Sequence, residues 1–112
     1  MVIQLLYSPD CPNVVAARNA LDRALTSYPD APPVTQIDVT DPLTPAHLRV
    51  WGSPTILVDG VDVAGEEPAA GGEPVAPCCR VYQVGASRGA PLVVQIMFAL
   101  ERARQSRNTA GL

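Results

Sequence analysis

Three thiols and one imidazole are the side chains of this sequence with the clearest chemical reach: Cys11, within Tyr-Ser-Pro-Asp-Cys-Pro-Asn-Val (residues 7–14), the neighbours Cys78 and Cys79, and His47. Cys11 lies between two prolines, directly after an apolar run and before a segment of helical periodicity. It is therefore expected where a strand gives way to a helix. At such a place the unpaired N–H groups and the dipole of the helix favour a thiolate relative to the ordinary thiol value of about 8.5. The adjacent carboxylate of Asp10 works in the opposite direction. The reading is a nucleophile of moderate thiolate character, exposed at a helix start and the most readily alkylated of the three thiols, with Pro12 in the first helical turn, where its missing N–H costs nothing.

Cys78 and Cys79 call for a different reading. Adjacent Cα atoms are about 3.8 Å apart, less than the ~4.4–6.8 Å that ordinary disulfides span, so no resting bond between the two is expected. If Cys-Cys-Arg-Val-Tyr is extended, alternation places Cys79 and Val81 on an inward face and Cys78, Arg80 and Tyr82 on the other. Cys79 then has two readings: a distal thiol that resolves an adduct on Cys11, or a small buried hydrophobe. Cys78 reads as incidental. His47 reads as a surface residue, Trp51 and Phe98 as core, Glu66, Glu67 and Glu73 as solvated loop charges, and Asp38 as a cap for the turn after it.

The chain that must position these groups has 112 residues, 47% of them apolar and 4% aromatic, which suits one domain with an aliphatic core. That domain is expected over residues 1–106, with a mobile loop at 64–77 and a frayed tail at 107–112. The net charge is −3 and all eight basic residues are arginines, so no basic stripe for nucleic acid is present. The opening Met-Val-Ile-Gln carries no charged leader, and no apolar run approaches the ~18 residues of a membrane span. The expectation is a cytoplasmic protein without membrane or nucleic-acid partners, a monomer or weak dimer. An odd number of cysteines agrees with reactive or metal-binding thiols rather than a disulfide framework.

Residues 2–8 form a short apolar run, as a strand buried on both faces does. Val14, Ala17, Leu21, Ala24 and Tyr28 recur at helical spacing and predict a helix over 12–27. Residues 34–39 predict a second strand, giving a βαβ unit with a parallel pair. Residues 41–52 predict a short second helix from their caps and early prolines. Residues 53–63 predict two antiparallel strands about the turn Asp59-Gly60, and 78–84 a short extended piece. A last helix over 92–104 follows, with Leu92, Ile96, Leu100 and Ala103 on its buried face.

This order, βαβα, then a hairpin and a C-terminal helix, resembles the thioredoxin fold across nearly the whole chain, an α/β class with a four- to five-stranded mixed sheet. The most specific part is residues 37–63, whose Gly-Ser-Pro-Thr is similar to the family's Gly-x-Pro-Thr before a β-hairpin. The resemblance places Pro54 on the family's cis-proline and Cys11 on its first active-site cysteine, adjacent in space. It implies that Ser53, just before the proline, offers its backbone as a short docking edge, with Asp10 and Pro12 flanking it. Small proteins of this kind also carry a late Cys-Arg-Val-Tyr segment. The second cysteine of the family's Cys-x-x-Cys is Val14 here, so the dithiol mechanism is unavailable.

The expected function is thiol–disulfide exchange with Cys11 as a monothiol nucleophile, Ser53 and Pro54 docking a protein or low-molecular-weight substrate, Cys79 or an external thiol resolving the adduct, and no cofactor. The alternative is a soft-metal module in which Cys11, Cys78 and Cys79 bind Cu(I), Hg(II) or Zn(II). Asp10 with two thiols would extend that alternative to organomercurial cleavage, although the motif of known organomercurial lyases is absent. A silent interaction domain using the same edge is the third reading.

Overall fold

A computed structural model describes residues 1–66, 80, 82 and 89–110. Strand β1 (Ile3–Tyr7) is followed by helix α1 (Val14–Leu25), strand β2 (Thr35–Asp38), a single 3₁₀ turn (Ala46–Leu48), strands β3 (Thr55–Val58) and β4 (Val61–Asp62), and helix α2 (Val93–Ala110). The four strands form one mixed sheet in the order β2-β1-β3-β4. β1 runs parallel to β2, with Leu5 opposite Gln36, and antiparallel to β3, with Leu5 opposite Ile56. The apolar run at the start of the chain thus occupies the centre of the sheet, where both neighbours satisfy its backbone. The protein is an α/β domain.

Strand periodicity divides the interior into two layers. Ile3 and Leu5 of β1 join Ile56 and Val58 of β3 on one face, where Ala17, Leu21 and Ala24 of α1 and Ile96, Leu100 and Ala103 of α2 pack against them. Leu6 and Leu57 point to the opposite face, where, among the described residues, the apolar side chains of Val39, Leu48, Ile37 and Trp51 pack with them. Both helices therefore cover the same side, and the other side is closed by loops.

Several local expectations are met. The hairpin turns at Asp59 (φ 51°) and Gly60 (φ 80°), the pair of left-handed residues that a two-residue turn of the right twist requires. Asp59 also accepts the N–H of Val2 at 2.7 Å, fastening the start of β1 to the turn. Asp38 caps the turn after β2 by accepting the Thr40 N–H at 2.8 Å. The Ser53–Pro54 peptide is cis.

Others are revised. No α-helix forms over 41–52. Pro42 and Pro45 withhold two N–H groups there, and Asp41 closes an Asx turn on the Leu43 N–H at 2.9 Å, while Arg49 binds the carbonyls of Asp41 (2.5 Å) and Thr44 (3.1 Å). Helix α1 starts at Val14 behind Asn13, so Pro12 stands before the cap rather than in the first turn. Helix α2 continues to Ala110, past the expected end at 104. Phe98, assigned to the core, is 69% exposed. The loop 64–77 is described only as far as Glu66, and of the extended piece 78–84 only Arg80 and Tyr82 are described.

The phase of α2 has a direct test. Leu100→Ala should destabilise the domain by about 2–5 kcal/mol in urea unfolding, the cost of an emptied core site, whereas Phe98→Ala should change stability by no more than about 0.5 kcal/mol.

Candidate functional site

Cys11 sits in the turn between β1 and α1. Its N–H donates to the Ser8 carbonyl at 3.0 Å, and its carbonyl accepts the Val14 N–H at 3.5 Å, so a tight turn fixes the residue just ahead of the helix cap. The thiol donates to the Ser53 carbonyl oxygen, 3.7 Å distant. Ser53 strengthens the junction from its own side, because its hydroxyl oxygen accepts the Ser8 N–H at 2.9 Å. Two segments 42 residues apart in sequence thereby meet at one sulfur.

Cys11 is buried, only 7% exposed, which corrects the expectation of an exposed thiol at a helix start. The physical reason is that α1 begins behind Asn13 and Cys11 lies two residues earlier, its sulfur against the Ser53 carbonyl. Asp10 and Pro12 are exposed on either side of it. Ser53 and Pro54 are buried rather than presented, and Ser53 is 0% exposed. Its carbonyl accepts a second hydrogen bond, from the Arg80 N–H at 2.9 Å.

Alternation places Arg80 and Tyr82 on the outer face, and they are instead the centre of a partly buried polar cluster. The Arg80 guanidinium pairs with the Asp62 carboxylate in bidentate fashion, Nη1 to Oδ1 at 3.1 Å and Nη2 to Oδ2 at 2.6 Å. Nη1 also donates to the Thr55 hydroxyl at 2.8 Å, which in turn donates to the Gly52 carbonyl at 2.5 Å. Glu66 completes the set, its carboxylate 3.5 Å from Nη2 and its N–H donating to Asp62 at 3.1 Å. Glu66 is thus an ion-pair partner rather than a plain solvated charge. The guanidinium carbon lies 4.1 Å from the centroid of the Tyr82 ring and 5.9 Å from that of Trp51, within cation–π range of both. Tyr82 is fully buried, and its hydroxyl donates to the Pro54 carbonyl.

These contacts explain two ionisation shifts. Burial alone would lower the pKa of Arg80, but hydrogen bonding to Asp62, assisted by the neighbouring charges of Asp62 and Glu66, outweighs it and the guanidinium is held more firmly charged. Burial pushes the Tyr82 hydroxyl well above its ordinary value, with the Arg80 charge opposing the shift only in part. Gly52 belongs to the same cluster, since a Cβ there would stand 3.0 Å from Arg80 Cβ.

One signal in the sequence pointed to this cluster. Asp62 stands opposite Leu57 in the hairpin register, an inward slot where a carboxylate needs a cation. Which cation it takes depends on a partner 18 residues further along the chain, which periodicity cannot supply. Cys78 and Cys79 lie outside the described residues. Among the described residues no group of three or more metal-ligating side chains occurs, and no helix is long and apolar enough to cross a membrane. A groove of about 290 Å³ between the β3–β4 turn and α2, lined in part by Val61, Val63, Phe98 and Arg102, shares only Asp62 with the cluster and does not include Cys11. No protein-family model, curated protein or solved structure matches the chain.

Two measurements probe the cluster. Asp62→Leu strands a buried guanidinium and should cost about 3–5 kcal/mol in urea unfolding, while Asp62→Leu combined with Arg80→Met should recover part of that loss. Tyr82 gives a pH signature: its hydroxyl ionises near 10.0 in the unfolded chain and well above that when folded. Only the unfolded state then releases the proton, so stability should fall as pH rises above the unfolded value. Tyr82→Phe should flatten that decline in chemical-denaturation series at alkaline pH.

Proposed function

We propose that this chain is a thioredoxin-like thiol–disulfide exchange protein of a reducing compartment, acting through Cys11. The observation that supports the reading best is the meeting of the Cys11 sulfur with the Ser53 carbonyl, across the junction of the β1–α1 turn and the loop before β3. The order of strand, helix, strand, hairpin and helix agrees with it.

In the exchange, Cys11 gives up its proton and the thiolate attacks one sulfur of a substrate disulfide. A Cys11–sulfur bond forms as the substrate S–S bond breaks, and the departing thiolate leaves with the electron pair and takes up a proton. A second thiol, from an external donor or from Cys79, then attacks the adduct; the first route returns Cys11 as a thiol and the second leaves a Cys11–Cys79 disulfide. Because the S–H is committed to Ser53, the sulfur must release that hydrogen bond before it reacts.

The reduced protein, treated with a small disulfide and mapped by peptide mass spectrometry, should carry the mixed disulfide on Cys11. Cys11→Ser should lose both the adduct and turnover. Absence of an adduct at Cys11, together with stoichiometric Cu(I) or Hg(II) uptake that Cys11→Ser abolishes, would replace exchange by soft-metal binding.

A further inference from the structure

A carbonyl oxygen has two lone pairs, and at Ser53 both are in use. One accepts the Cys11 thiol at 3.7 Å and the other the Arg80 N–H at 2.9 Å. A polypeptide that docks by adding itself to a backbone edge needs an open acceptor at that edge. Here the chain's own Arg80 backbone holds the place such a polypeptide would take. The occupation is secured at several points: Arg80 is tied to Asp62 through both oxygens, to Thr55 and to Glu66, and Tyr82 binds the Pro54 carbonyl. What remains accessible of Cys11 is the small exposed fraction of the residue, flanked in sequence by the exposed Asp10 and Pro12.

From this arrangement we infer that Cys11 exchanges with low-molecular-weight disulfides and that the Arg80–Asp62 anchor excludes polypeptide disulfides from it. The inference rests on the exchange reading above. A small aliphatic disulfide needs only to bring one sulfur in line with Cys11, with no backbone pairing. A disulfide within a polypeptide brings chain on both sides of the sulfur, and that chain meets Arg80, whose N–H already fills the Ser53 acceptor. The bonds made and broken are those of the exchange already described, the substrate disulfide being the only oxidant.

The test compares the reduced full-length protein with two variants that loosen the cover from different sides. Asp62→Asn weakens the anchor, and Gly52→Ala sets a methyl group 3.0 Å from Arg80 Cβ, crowding the residue whose N–H fills the Ser53 acceptor without removing a partner of its guanidinium. Each is reacted with 2-hydroxyethyl disulfide and with the disulfides of insulin, and adducts are assigned to Cys11 by peptide mapping. The unaltered protein should form the adduct readily with the small disulfide and only slowly with insulin. In the variants the insulin reaction should rise by about tenfold, the worth of one docking hydrogen bond regained, with the small-disulfide rate little changed. Equal reaction of the unaltered protein with both disulfides overturns the inference and leaves the exchange reading standing, as does failure of both folded variants to gain insulin reactivity. No adduct at Cys11 from either disulfide, in any of the three proteins, overturns the exchange reading and the inference with it.

Discussion

The bidentate pairing of Arg80 with Asp62 is the contact on which the loop-covered side of this domain depends. A carboxylate at an inward position of a hairpin is costly to bury, and Asp62 is 3% exposed. Its two oxygens receive both terminal nitrogens of Arg80 and the Glu66 N–H. Arg80 in turn finds oxygen at Thr55 and Glu66 and aromatic faces at Tyr82 and Trp51. A buried ion pair contributes to stability only when the remaining donors and acceptors are satisfied as well as these are. The consequence for architecture is that a segment remote in sequence is brought against Ser53, Pro54 and Thr55.

The two faces of the sheet are therefore closed by different physics. On one, aliphatic side chains of two helices pack against β1 and β3, and the driving force is removal of apolar surface from water. On the other, a small apolar patch around Leu6 and Leu57 gives way to directional hydrogen bonds and an ion pair. Directional contacts fix position more narrowly than apolar ones. It is fitting that the sulfur lies at the junction next to them, where the Ser53 carbonyl is shared between Cys11 and Arg80.

Much of the helix-covered layer was legible in the sequence, because its signals are local and periodic. The stripe Val14, Ala17, Leu21 and Ala24 is the buried face of α1, and Asp59-Gly60 is the hairpin turn. The meeting of Cys11 with Ser53 was anticipated through Gly-Ser-Pro-Thr. The rest failed where a local rule met a distant partner. Simple alternation sent Arg80 and Tyr82 outward, but Asp62 and the Pro54 carbonyl hold them inside. The capping pattern at 41–52 looked helical, yet two prolines and an Asx turn absorbed its backbone groups elsewhere. Phe98 was placed inside by its chemistry alone, while the phase of α2 carries it to the surface.

The near approach of Gly52 to Arg80 also bears on how this sequence is able to diverge. A Cβ at 52 crowds Arg80 at 3.0 Å, an uncharged residue at 62 strands its guanidinium, and loss of the hydroxyl at 82 takes from the Pro54 carbonyl the donor it has in Tyr82. None of these positions is at liberty to drift by itself. Descendants of this chain should therefore exchange Gly52, Asp62, Arg80 and Tyr82 as a group or retain all four, a covarying set that links the hairpin and the residues before it to two positions about twenty residues further on.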